Sequence, residues 1–210
     1  MGAGGQSLSP ELSRALAEVT QVCARAVRPT HPQDRLDFRE TAERAALLDP
    51  PRGEITPRAL FDYVDDGPAE MDAAEVAYFL PRICEILAGG QHLGGSLGWE
   101  VSLGCLSRSR FPASWPDDRV AAIQRFTEEL VADFAQNPAR FPDGGLVDAP
   151  CLGDFLEMAA RGGIDLTALT ERLCRLPRAD QTRCLARWED HATHTDLSGA
   201  IEAWRAARHP

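Results

Sequence analysis

Between Pro116 and Gln136 the apolar residues Val120, Ile123, Leu130, Val131 and Phe134 trace one stripe at helical spacing, with Phe126 at its edge. This is the strongest helix in the pattern, and Asn137-Pro138 ends it. Near the amino terminus Leu12, Leu16, Val19 and Cys23 recur at spacings of four, three and four. Ser9-Pro10-Glu11 supplies their start: a capping hydroxyl, a proline at the first helical position and an acid facing the helix dipole. That helix is expected to stop before Pro29. A second segment spans about Leu36 to Leu48 and ends at Pro50-Pro51, and Thr56-Pro57 then repeats the cap-and-proline start for a short helix through Val64, closed by Gly67.

Asp72-Ala-Ala-Glu75 is a capping-box-like start for a helix to Ala88 that stops at Gly89-Gly90. Pro81 falls inside it, which predicts a kink or a restart, because proline donates no hydrogen bond and crowds the carbonyl of Ala77. Residues 89 to 98 read as a glycine-rich loop. Trp99 to Leu106 fits a strand or a helix, and helix is preferred because no partner strand is evident. Further helices are expected at Ala149 to Arg161 with Gly162 as terminator, Leu166 to Leu176, Ala179 to His191, and Leu197 to Arg208. Short connections and the lack of a hairpin signal make the class all-α: residues 9 to 208 as one compact multi-helix domain, possible as stacked helix pairs, after a disordered tail at 1 to 8.

Composition narrows the chemistry. All 22 basic residues are arginine. Without lysine there is no Walker-type phosphate loop, no Schiff-base nucleophile and no Ser-Lys pair. Six cysteines (Cys23, Cys84, Cys105, Cys151, Cys174, Cys184) form no C-x-x-C pair and read as reduced core residues, Cys84 most clearly. No apolar run is long enough to span a bilayer and the amino terminus lacks a signal pattern, so a cytoplasmic protein without membrane partners is expected. The formal charge of -10 is shared evenly, with 11 basic and 16 acidic residues in each of residues 1 to 110 and 111 to 210. No basic domain is available for nucleic acid.

Two clusters qualify as candidate chemistry. Trp188-Glu-Asp-His-Ala-Thr-His-Thr-Asp196 places His191 and His194 three residues apart, one helical face on which two imidazoles can share a metal with Asp196. The spacing departs from H-E-x-x-H, and the stretch reads more simply as a helix end followed by a turn, so no metal or other cofactor is expected. The second cluster lies between Arg58 and Arg82, where Asp62, Asp65, Asp66, Glu70, Asp72 and Glu75 occur with no intervening base. A calcium loop fails there because Val64 and Ala73 occupy positions that require oxygen ligands. With Asp72 and Glu75 engaged in capping, Asp62, Asp65, Asp66 and Glu70 are the candidate residues for binding a basic protein partner. Glu128-Glu129, beside the long stripe, reads as solvated. No nucleophile constellation emerges, so no catalytic residue is assigned.

The stretch Met71-Asp-Ala-Ala-Glu-Val-Ala-Tyr-Phe-Leu-Pro-Arg-Ile-Cys-Glu-Ile-Leu87, preceded by Ile55-Thr56 and Leu60 and followed by Trp115-Pro116 before the long helix, resembles the core of uncharacterised all-helical bacterial proteins with a Y-F-L-P-R-I-x-E-I-L-like motif. The likeness weakens after about residue 140. It implies a helical fold and, without any enzymatic motif to transfer, a role as an immunity or adaptor partner in toxin systems. The expectation is therefore a non-enzymatic protein-binding module, an immunity protein that occludes a cognate bacterial toxin. The alternative is a metal-dependent enzyme using His191 and His194.

Overall fold

The computed structural model describes residues 7–30, 41–65, 70–93, 98–141 and 150–182, with the side chains of 41–44 and 65 outside that description. The described chain is helical, and no strand occurs among the described residues. In chain order the helices are α1 (Pro10–Val22), α2 (Thr41–Leu48), α3 (Pro57–Asp65), α4 (Ala73–Ala88), α5 (Gly104–Arg108), α6 (Asp117–Gln136), α7 (Leu152–Gly162) and α8 (Leu166–Cys174). Short 3-10 turns lie at Arg52–Glu54 and Pro138–Arg140, and residues 178–182 are again helical.

Local sequence sets the helix starts. The Ser9 side chain accepts the Leu12 amide at 3.3 Å, Thr56 Oγ1 accepts that of Ala59 at 3.3 Å, and Asp72 Oδ1 accepts that of Ala74 at 2.7 Å. Each satisfies one of the amides that a helix's first turn leaves without a carbonyl. Asp165 does the same for α8, holding the Thr167 amide at 2.8 Å.

Helix ends are set partly by local signals, since α4 ends at Ala88 before Gly89-Gly90 and α6 at Gln136 before Asn137-Pro138 as expected, and partly by distant partners. α1 stops at Val22, well before Pro29, and the Val22 carbonyl accepts from Arg119 Nε of α6 at 3.3 Å. α7 continues through Gly162, and the left-handed residue that ends it is Gly163 at φ +75. The expected helix over Trp99 to Leu106 is displaced: 99–103 form turns closed by bonds such as Ser102 N to Trp99 O, and α5 begins only at Gly104.

One core runs from Leu12 to Leu176. Its two central elements are α4 and α6. Twelve of the sixteen residues of α4 are buried, so the helix is enclosed on nearly every side, by α1, α3, α5 and α6. It runs through buried Pro81 as one element, without the restart that proline suggested; tertiary packing overrides the local cost. α6 lies against α1, α4, α7 and α8, and its contact with α1 is the most extensive between described helices. Phe126, placed at the edge of the stripe by the sequence, is completely buried. Leu8 packs half-buried against the core, while residues 1–6 lie outside the described residues.

Beyond α6 the chain closes back on α4. Arg140 forms an ion pair with Asp133 and donates through Nη2 to the Ala88 carbonyl at the end of α4; the Asp133 and Arg140 side chains are 0% and 5% exposed. The Asn137 side chain also reaches Asp133, at 3.3 Å. Gly90, at φ +77, sits so close that a Cβ there would overlap the Arg140 carbonyl oxygen. Next to this clamp Trp99, Phe134, Phe141 and Phe155 pack together, with ring centroids 4.6 to 5.6 Å apart for the contacting pairs.

Candidate functional site

The structure distributes the expected acidic cluster among several partners. Asp62 pairs with Arg58 one turn earlier in α3 at 3.0 Å. Asp65 closes α3, and Asp66 lies outside the described residues. Exposed Glu70 receives Arg110 Nη2 on both carboxylate oxygens at 3.1 Å. Arg110 is 40 residues away in sequence and has φ 59, so a turn just after α5 delivers this base to a segment that seemed to have none. Asp72 is the cap of α4. Glu75 is buried, and its carboxylate faces the Tyr63 hydroxyl, which burial first and then the Glu75 charge push far above the usual phenol range.

The metal alternative falls on His191, His194 and Asp196, all outside the described residues. Among the described residues no group of three His, Cys, Asp or Glu side chains is placed to hold a metal ion. Glu129, expected to be solvated, is mostly buried and receives Arg172 from α8 in a two-pronged contact at 2.9 and 2.8 Å. Among the thiols, Cys23, Cys84, Cys105 and Cys151 are buried and free as expected, whereas Cys174 is exposed at the end of α8. Cys184 is outside the described residues. Burial holds the buried thiols protonated, with Cys105 and Cys151 pushed up to about 11, and this disfavours thiolate chemistry.

Sequence reasoning missed a groove of about 540 Å³ where the end of α1, the first turn of α4 and the first turn of α6 converge. The segment after α1 contributes Arg25, Val27 and Arg28; α6 contributes Arg119; α4 contributes Asp72 and Glu75. Arg28 is oriented by Nε donation to the Tyr78 hydroxyl at 3.0 Å and by Nη2 donation to the Pro50 carbonyl at 2.5 Å. Arg52 adds a fourth guanidinium nearby, 5.8 Å from the centroid of the Tyr78 ring. The charges of Arg119 and Arg52 reach buried Cys23, opposing the larger effect of burial, which raises that thiol. At the rim, Val27 is 81% exposed, and no other large apolar side chain is so open among the described residues.

An acidic chain thus carries a local concentration of arginine beside the first turn of α4. Only the spacing of Arg25 and Arg28 hinted at this, because Arg52 and Arg119 join them through the fold. Guanidinium groups in such a setting can orient an anionic group by forked hydrogen bonds. Among the described residues, no helix is long and apolar enough to cross a membrane. Compared with known protein families, curated proteins and solved structures, the chain matches none of them.

Proposed function

We propose that this chain is a non-enzymatic protein-binding module, and that its task is immunity of the occluding kind: it covers the working surface of a basic bacterial toxin. The observation that carries the reading is the exposed state of the Glu70–Arg110 pair, whose side chains are 76% and 67% open to solvent. An ion pair so exposed contributes only about 0 to 1 kcal/mol. A partner's arginine or lysine therefore displaces Arg110 from Glu70 at little cost. Asp65 and Asp66, at and just beyond the end of α3, extend the same acidic segment, and Asp62 and its Arg58 partner adjoin it. Carboxylates concentrated in one segment steer a basic surface inward and fix its register.

Co-expression with the product of the adjacent gene tests the reading. The two proteins should co-purify and the toxicity of that product should fall. At low salt, combined Asp65→Arg, Asp66→Arg and Glu70→Arg should slow association by about tenfold or more, and the difference should shrink as salt rises. A complex formed at the same rate by the triple variant would move recognition to another face. A toxic neighbour unaffected by the chain would remove the immunity role.

A further inference from the structure

Apart from the protein-binding reading, and independent of it, we propose that the arginines gathered at the carboxyl end of α1, Arg25, Arg28, Arg52 and Arg119, bind a small anion with adjacent phosphoryl groups. The feature that sets them apart is what they lack. Eight other described arginines each pair with a carboxylate. These four have no carboxylate partner among the described residues, although the chain holds 32 acidic residues against 22 basic ones.

Separate contacts bring the four together. Arg28 and Arg52 meet at one ring, Arg28 through the Tyr78 hydroxyl and Arg52 over the face, 5.8 Å from the centroid. Arg119 is tied to the last residue of α1 by its bond to the Val22 carbonyl, and its charge and that of Arg52 are both felt at Cys23, the next residue. Arg25 lies in the exposed segment just beyond, and lines one groove together with Arg28 and Arg119.

Everything that holds these side chains is neutral. A hydroxyl, two backbone carbonyls and an aromatic face fix their direction and leave the positive charge whole. Arg28 Nη1 and both terminal nitrogens of Arg119 have no acceptor among the described residues, so N–H donors of both remain for a ligand. The carboxylates nearby are engaged elsewhere: Asp72 with the Ala74 amide, Asp118 with the Arg119 amide and Glu75 with the Tyr63 hydroxyl. The four guanidinium groups come from three segments of chain, so one planar carboxylate cannot take a fork from each. Tetrahedral phosphoryl oxygens, spread in three dimensions, can, and two adjacent phosphoryl groups bring the charge to match. The groove that three of the arginines line, about 540 Å³, is within the roughly 300 to 1,000 Å³ of small-molecule sites.

Calorimetric titration of the full chain with inorganic pyrophosphate, at constant ionic strength, tests the site. Saturation is expected with a dissociation constant on the order of 1 mM or tighter, and acetate at the same concentrations should give none. Adenosine diphosphate is titrated beside it: affinity equal to or above that of pyrophosphate makes a nucleotide the source of the group, and lower affinity makes it the free anion. Arg28→Gln and Arg52→Gln should each weaken pyrophosphate by about tenfold, with folding checked by circular dichroism. Arg25→Gln, at an exposed position, keeps the test decisive if either of them fails to fold. Arg14→Gln, which removes another exposed arginine nearer the start of α1, should leave the affinity unchanged. No saturation up to about 10 mM, unchanged affinity in every folded cluster variant, or a loss in Arg14→Gln as large as theirs would each overturn the assignment. None of the four arginines belongs to the acidic segment that captures a toxin, so the two readings fail separately.

Discussion

The two ends of α4 carry the same kinds of side chain and use them in opposite ways. At the carboxyl end, Arg140 and Asp133 are removed from water, paired with each other and tied to the Ala88 carbonyl. At the amino end, Arg25, Arg28 and Asp72 remain exposed beside Glu75, and Glu70 meets Arg110 in open solvent. A buried charge is tolerated only with partners, and those partners then have a single arrangement; an exposed charge stays free to exchange one partner for another. One end of the helix is therefore a fastening and the other is available for recognition.

Removing one half of the buried pair should give the largest effect. Arg140→Met leaves Asp133 without its counter-ion and should lower unfolding free energy by about 3 to 5 kcal/mol in urea denaturation. The double variant Asp133→Leu/Arg140→Met should recover much of that loss, since it removes the stranded charge as well. A double variant as damaged as the single one would mean that packing, and not charge, governs the clamp. Next in size is Gly90→Ala, which combines a positive φ with overlap on the Arg140 carbonyl and should cost about 2 to 3 kcal/mol by the same measurement.

The buried thiols predict a smaller, pH-dependent loss. In the folded chain Cys105 is raised from 9.0 to about 11, so between these values the unfolded chain has released a proton that the folded chain still holds. Stability from this source is complete below about pH 9 and declines as pH rises towards about 11, by on the order of 2 kcal/mol. Denaturation curves from pH 8 to 11 should show the decline, and Cys105→Ala should lessen it. The smallest effects belong to the open end of α4. A double-mutant cycle on Glu70→Ala and Arg110→Ala should return a coupling below about 1 kcal/mol, and Arg25→Gln should change stability by no more than about 0.5 kcal/mol. A loss above about 2 kcal/mol from Arg25→Gln would erase the contrast between the two ends.

What was legible in the sequence was whatever is decided within one helical turn. Ser9, Thr56 and Asp72 were readable as caps because their acceptors serve amides two or three residues on. The apolar stripes of α1 and α6 were readable because periodicity is local. Stops were legible where glycine or proline follows at once, as after α4 and α6, and harder after α1, where Val22 ends the helix well ahead of Pro29 and its carbonyl finds Arg119 97 residues away. Charge was harder still. Glu70 looked unpaired and Glu129 looked solvated because Arg110 and Arg172 lie 40 and 43 residues further along the chain. The groove's arginines come from two separate segments, so a count of charges along the chain could not find it.

The pairing of α1 with α6 also has a meaning in time. During synthesis α1 emerges with Leu12, Ala15 and Val19 ready for burial, yet the helix against which it packs most extensively begins at Asp117. At about 5 to 20 residues per second, the ribosome needs on the order of ten seconds to supply that helix. For that interval the amino-terminal helix is an apolar surface awaiting its counterpart, and a nascent chain arrested before residue 117 should bind a holdase chaperone that one arrested well beyond residue 141 releases.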